Sequence, residues 1–215
     1  MNLIVSDFDG TFFDDDYNKN IELIKKYNND FVIATGRNIE SLKKDLKVNC
    51  KYYICNDGGY ILDNNYDLIY RNHISEDTVA KIYSRMIELG YEDYFFDNLE
   101  ELSKKIINNI NKISVKIKDR NAINDMEYLL KDLADVYAYI STNWINILSI
   151  DSKKENAIDF ISKLDNYDKI IVVGNDINDY EMLKKYDGYL ISKEDNKNFK
   201  TIKNFLEIED IIKND

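Results

Sequence analysis

The stretch Leu3-Ile4-Val5-Ser6-Asp7-Phe8-Asp9-Gly10-Thr11 decides how the chain is read. A short apolar run reads as a buried strand, and two carboxylates follow it at once. Gly10 lets the chain turn immediately behind them. Alternation along a straight strand would put Asp7 and Asp9 on one side, and parallel α/β folds build their sites at such carboxyl ends of strands. A plain acidic loop could carry the same residues. A calcium-binding EF-hand could not: counted from Asp7, its invariant-glycine position holds Phe12 and its last-ligand position holds Asn18.

Outward from this segment, short apolar runs alternate with helix-period stretches at both ends of the sequence, the pattern of βαβ units around a parallel sheet. Leu3 to Val5, Phe31 to Ala34, Tyr52 to Cys55 and Ile170 to Val173 read as buried strands. Ile21, Ile24 and Tyr27, then Ile39, Leu42 and Leu46, then Ala157, Ile158, Ile161 and Leu164 recur at helical spacing and read as core faces. The middle differs. Tyr60 to Leu62 and Leu68 to Tyr70 are the arms of a hairpin around an Asn/Asp turn, and Val79, Ile82, Met86 and Leu89 mark a helix. Ile113, Val115 and Ile117 alternate with Ser114 and Lys116, as in a sheet with one wet face. A helix with Ile123, Met126, Leu130 and Leu133 leads to strands near Val136 to Ile140 and Trp144 to Ile150. The reading is an α/β core of residues 1–75 and 150–215, interrupted by an α+β module at residues 76–149 with short junctions.

A chain of 215 residues can bury such a core without staples. With 44% hydrophobic and 32% charged residues it has the balance of a globular protein. No apolar run approaches the roughly 20 residues a spanning helix needs, and the N-terminus lacks the pattern of a signal peptide, so the expected location is the cytoplasm. Cys50 and Cys55 are too few for a disulfide framework and do not form a C-x-x-C pair; both are expected reduced, with Cys55 buried. A net charge of -11 works against nucleic acid polymers and anionic membranes as partners. A small phosphate ester can still bind where cations and backbone N–H groups gather locally.

Three further segments stand at strand ends. Ala34-Thr35-Gly36-Arg37 offers a hydroxyl and the free N–H groups of a helix start, which can hold an anion, although Thr before a helix is also an ordinary cap. Asp151-Ser152-Lys153-Lys154-Glu155-Asn156-Ala157-Ile158 opens a helix with two adjacent lysines, either a pair of solvated side chains or a partner for phosphate and nucleophile. Gly174-Asn175-Asp176-Ile177-Asn178-Asp179 gathers four oxygen-bearing side chains within five residues, suited to Mg2+ or to a capped turn.

In this order the four segments resemble the haloacid dehalogenase (HAD) superfamily, specifically its Cof-type phosphatases with an inserted C2-type cap. Asn56-Asp57-Gly58-Gly59-Tyr60-Ile61 also resembles that family's loop before the cap. The resemblance implies a Rossmann-like parallel-sheet core with an α+β cap. It further implies a Mg2+-dependent phosphatase acting on a small phosphorylated metabolite, a sugar phosphate or nucleotide, through an aspartyl-phosphate. Carried over residue by residue, it makes Asp7 the nucleophile and Asp9 the acid that protonates the leaving oxygen and then activates water. Thr35 and Lys154 complete the catalytic set, with Lys153 as second choice for the lysine. Thr11, Thr35, Gly36, Arg37, Asn56, Lys154 and Asn178 would meet the phosphate. Mg2+ would sit among Asp7, the Asp9 carbonyl, Asn175, Asp176 and Asp179.

One position departs from the family pattern: Asn175 stands where an aspartate is usual. Its amide oxygen can ligate Mg2+ but brings no charge, so the expected arrangement has Asn175 as ligand and Asp179 in direct or water-mediated contact. The family's cap supplies the leaving-group pocket, which places specificity within residues 76–149. There Trp144 and Tyr94 could stack on a sugar or base, or simply fill a core. His73, near the hinge, reads as a loop residue. A monomer or weak homodimer is expected.

Two rival readings remain. A phosphomutase of the same superfamily would return the phosphate to substrate, and a phosphate-sensing module, such as a receiver domain, also uses Asp, Thr and Lys at sheet edges. No G-x-S-x-G surrounds any serine, so a Ser/His/Asp hydrolase is unsupported.

Overall fold

The computed structural model describes residues 2–27, 30–117 and 121–213. The apolar run that opens the chain becomes β1 (Leu3–Ser6), and β2 (Asp30–Ala34), β3 (Tyr52–Cys55), β4 (Tyr60–Asp63) and β5 (Leu68–Arg71) follow it. A second group comprises β6 (Tyr94–Asp97), β7 (Leu102–Ser103), β8 (Lys112–Lys116), β9 (Val136–Ser141) and β10 (Trp144–Ser149). The chain then returns with β11 (Ile170–Gly174), β12 (Tyr189–Ile191) and β13 (Lys200–Ile202). The helices are α1 (Tyr17–Lys26), α2 (Ile39–Asp45), α3 (Glu76–Glu88), α4 (Ala122–Leu130), α5 (Lys154–Ile161), α6 (Tyr180–Lys185) and α7 (Ile208–Lys213).

The larger sheet runs β13-β12-β11-β1-β2-β3-β4-β5. It is parallel from β13 to β3 and finishes as an antiparallel hairpin. Side-chain alternation sends Leu3 and Val5 to one face, packed on Ala157, Ile158 and Ile161 of α5. Ile4 goes to the other, with Phe12, Phe31 and residues of α1, α2 and α7. A sheet covered on both faces is what continuous apolar strands require, and each fully buried Ile or Leu contributes about 1.5–3 kcal/mol. Parallel pairing places the ends of β1, β2 and β11 at one edge. That edge carries three of the four motif segments.

The smaller sheet, β7-β6-β8-β10-β9, is antiparallel. Ile113, Val115, Ile145 and Ile147 pack on Val79, Ile82 and Met86 of α3. Lys112, Ser114 and Asn146 take the opposite face, as the alternation of β8 predicts. The architecture is therefore an α/β core with an inserted α+β cap. Both cysteines are buried and free. Among the described residues no helix is long and apolar enough to cross a membrane.

Some helical expectations shift. Tyr27, Leu46 and Leu89 lie just past their helices, and Leu164 is 50% exposed beyond the end of α5. In α4 Met126 and Leu130 pack on the cap core as expected, together with Leu129, and Leu133 follows just beyond; Ile123, in the first turn, is 61% exposed. Tyr94 faces the cap's own core, whereas Trp144 opens onto the cleft described below.

Candidate active site

β1 ends at Ser6, but the Asp7 N–H still donates to the Val173 carbonyl of β11 at 2.9 Å, so the carboxylate is held at the strand tip. The chain then curls back: Phe13 N–H donates to the Phe8 carbonyl (2.7 Å), and Phe8 and Phe12 drop into the core. This curl puts Gly10 at φ +73°, where a Cβ would also lie 2.4 Å from the Asn175 amide nitrogen. The backbone conformation is thus what favours glycine, while the Asn175 side chain would have to shift for a Cβ. The same curl buries Thr11 completely, so this residue, expected at the phosphate, lies behind the wall of the cleft.

Lys154, in the first turn of α5, is fully buried. Its Nζ donates to Asp7 Oδ1 and to Asp179 Oδ1, both at 2.7 Å. Asp179 Oδ2 accepts from the N–H groups of Asn175 (2.8 Å) and Asp176 (3.1 Å), which clamps the loop after β11. Burial pushes Asp7 up to about 7, against the pull of Lys154, and the Asp179 carboxylate adds to the rise. Burial also works against charge on Lys154, but Asp179, Asp7 and Asp57 together hold it protonated well above the ordinary lysine range. Lys153 points elsewhere, its Nζ 5.4 Å over the Tyr137 ring.

Across the cleft, Asp9 is half-exposed. Both of its oxygens accept from Arg37: Nε donates to Oδ2 at 2.8 Å and Nη2 to Oδ1 at 2.5 Å. Arg37, expected at the phosphate, thus spends its fork on a carboxylate. Thr35 is fixed between strands by its own N–H on the Ile54 carbonyl (2.8 Å), and its Oγ1 accepts from the Arg37 N–H (3.1 Å).

A second cluster was not legible in the sequence. Asp57, buried at φ +53°, accepts from Lys112 Nζ (2.9 Å), Tyr139 Oη (2.6 Å) and Asn178 Nδ2 (2.8 Å). Lys112 and Tyr139 belong to the cap sheet, and Lys112 also donates to the Gly36 carbonyl at 3.0 Å. One buried ion pair therefore ties the cap to two strand-end loops of the core. Asp57 does stand inside the loop singled out before the cap, but nothing local announces a partner 55 residues away. Burial alone would raise its pKa. Lys112, Lys154 and the donors from Tyr139 and Asn178 outweigh that and hold it at about 2. Because this lies below the ordinary value of 3.8, the stabilisation is present above pH 4 and is lost as the pH falls toward 2. We expect Asp57→Asn to remove on the order of 2 kcal/mol at pH 7 and to flatten this acid limb in denaturant titrations across pH 2–7.

The cleft between sheet edge and cap has a volume of about 720 Å3. Asp7, Asp9, Thr35, Gly36, Arg37, Asn175, Asp176 and Asn178 line it from the core; Lys112, Tyr139, Ser141 and Trp144 line it from the cap. Asn56 does not reach it, being fully buried, and Asp179 is likewise enclosed behind Lys154. Among the described residues no three His, Cys, Asp or Glu side chains converge on a cation-sized site. The reason is local. Asn175 presents an amide, both Asp179 oxygens are spent on Lys154 and backbone N–H groups, and Asp176 Oδ2 accepts from Ser141 Oγ of the cap at 2.8 Å.

A chain built in this way can be compared with known proteins. The sequence model described as haloacid dehalogenase-like hydrolase matches residues 4–106 and 84–205. No curated protein sequence matches. Among solved structures, a haloacid dehalogenase-like hydrolase from Bacteroides thetaiotaomicron superposes with a TM-score of 0.82 at 17% identity, covering 98% of this chain and 99% of that one. A phosphatase of the HAD superfamily from the same organism gives 0.78 at 14% identity, covering 100% and 93%. A HAD subclass IIB sugar phosphatase gives 0.75 at 15% identity, covering 91% and 89%. At these identities the likeness is one of fold, but the sequence model spans most of the chain. The chain belongs to the haloacid dehalogenase-like hydrolases.

Proposed function

We propose that this protein is a Mg2+-dependent phosphatase that hydrolyses a small phosphorylated metabolite, a sugar phosphate or nucleotide, through an aspartyl-phosphate on Asp7. Residues 1–75 and 150–215 form the catalytic domain in this reading, and residues 76–149 close over it and receive the leaving group. The observation that carries it is the Asp7–Lys154 pair: a carboxylate at the tip of the central strand, on the cleft wall, with a buried ammonium donating to one of its oxygens. The fold relatives that are phosphatases point the same way.

The donor set around Asp7 fits a hard cation. Its groups are oxygens: the second Asp7 carboxylate oxygen, the Asp9 carbonyl and the Asn175 amide, with Asp176 beside them on the same wall. Burial, with the neighbouring Asp179 carboxylate, pushes Asp7 up against the pull of Lys154, so a cation added beside it would favour its charged form. Bound there, Mg2+ would supply the charge that lets a carboxylate approach an anionic phosphate.

The residues divide the work. Asp7 attacks phosphorus and the leaving oxygen takes a proton from Asp9; water then attacks the aspartyl-phosphate and gives its proton back to Asp9. Thr35 and the backbone at Gly36 hold phosphate oxygens, while Lys154 keeps Asp7 ionised and aimed. Trp144 of the cap offers the leaving group an apolar face.

A screen of phosphorylated metabolites with and without Mg2+ tests this reading. Sustained release of inorganic phosphate that needs the metal supports it, interconversion without release would indicate a mutase, and a single turnover would indicate a phospho-acceptor. Asn175→Asp adds a charged ligand, so the apparent Mg2+ dissociation constant should fall by about tenfold, roughly 1.4 kcal/mol. A metal titration curve that does not move would remove Asn175 from the site.

A further inference from the structure

Arg37 stands at the cleft mouth, yet its polar side-chain contacts are all to protein carboxylates. Two of its N–H groups hold Asp9, and Nη1 donates to Asp45 Oδ2 at 2.7 Å. Asp45 is the last residue of α2 and lies outside the cleft. The guanidinium also rests over the rings of Phe8 and Phe13, 5.1 and 5.9 Å from their centroids. The arginine is therefore fixed by a carboxylate on one side and aromatic faces on another before it meets Asp9. Asp9 needs such a fixture, because its side chain is 52% exposed and no strand holds it. A fork that engages both oxygens sets the plane of a carboxylate as a single bond cannot.

We infer that Asp45 and Arg37 form a positioning relay that holds the Asp9 carboxyl group in place to take the proton of the hydrolytic water. The inference rests on the assignment of Asp7 and Asp9 under the proposed function. In that step the water oxygen bonds to phosphorus and the bond from phosphorus to the Asp7 oxygen breaks. Asp7 regains its carboxylate and the water's proton passes to Asp9. Each Asp9 oxygen keeps lone-pair capacity outside the fork for that proton. The fork fixes the carboxylate plane that the second step needs, whereas attack by Asp7 on an ester with a good leaving group such as nitrophenolate needs no proton from Asp9.

Pre-steady-state kinetics with p-nitrophenyl phosphate and Mg2+ separate the steps. In Arg37→Gln and Asp45→Asn the first equivalent of nitrophenol should appear at close to the parent rate. Steady turnover should then fall, by roughly 10- to 100-fold for Arg37→Gln and less for Asp45→Asn, with trapped aspartyl-phosphate accumulating. Inhibition by vanadate should be unchanged. Arg37→Lys keeps the charge but not the fork, and should not restore turnover. A slowed burst with weakened vanadate inhibition in Arg37→Gln would make Arg37 a phosphate ligand and overturn the relay. So would parent-like kinetics in Asp45→Asn, a folded variant altered at a partly exposed helix end, or full activity in Arg37→Lys. Asp9→Asn distinguishes a deeper failure: if it turns over normally, Asp9 carries no proton and the underlying mechanism falls, whereas an inactive Asp9→Asn beside unaffected Arg37 and Asp45 variants removes the relay alone.

Discussion

Asp7→Asn is expected to lower Mg2+-dependent phosphate release by at least about 10^4-fold, because an amide cannot form the phosphoryl bond and no other carboxylate stands in its place. Asp9 is turned into the Arg37 fork, and Asp179 is sealed behind Lys154. The same substitution should leave the fold intact and make the metal-free protein more resistant to heat above neutral pH. The sign follows from the direction of the shift: the folded-state value of about 7 stands above the ordinary 3.8. Metal-free stability is therefore lost as the pH rises from about 4 to about 7, and the asparagine variant lacks that loss. Melting curves at pH 5 and pH 8 check it. A variant that retains a tenth of parental turnover would sink the nucleophile assignment, and one that melts far below the parent at pH 8 would sink the electrostatic account.

The second large effect belongs to Lys154. Lys154→Met removes the cation shared by Asp7 and Asp179 and leaves both carboxylates buried without it, a change that costs about 3–5 kcal/mol when one partner of a buried pair is deleted. For a chain of this size that corresponds to a fall in Tm on the order of 10 °C. Activity should fall with it by roughly 10^2-fold or more, since Asp7 loses the ammonium that keeps it charged. Lys153→Met is the control. Its ammonium lies over a tyrosine ring and faces no site carboxylate, so Tm and activity should stay near the parent. Adding Asp179→Asn to Lys154→Met should recover part of the lost stability by removing one uncompensated charge. If Lys153→Met proves the damaging change, the lysine has been assigned to the wrong residue.

The sequence by itself determined the layered core, the existence of the cap and the strand tips at which chemistry gathers. These are properties of local pattern. Continuous apolar strands between helix-period segments demand a parallel sheet buried on both faces, and Leu3 to Val5, Phe31 to Ala34 and Ile170 to Val173 duly pair as β2-β1-β11. The alternation of Ile113 and Val115 with Ser114 likewise predicted a cap sheet with one wet face. Motif order went further and picked out Asp7, Asp9, Thr35 and Asn175, all of which line one cleft.

Tertiary structure alone decided what those side chains touch. It chose Lys154 over Lys153 as the neighbour of Asp7, because the turn into α5 aims only the second lysine at the strand tip. It turned Arg37 from phosphate toward Asp9 and Asp45, and it withdrew Thr11 and Asn56 into the interior. It also joined Asp57 to Lys112 and Tyr139 across the cap junction. Periodicity and turn chemistry are written over a few neighbouring residues and can be read from them. A buried charge finds its partner across tens of residues, and that pairing is fixed only when the packed interior leaves each ionised group a single place to be compensated.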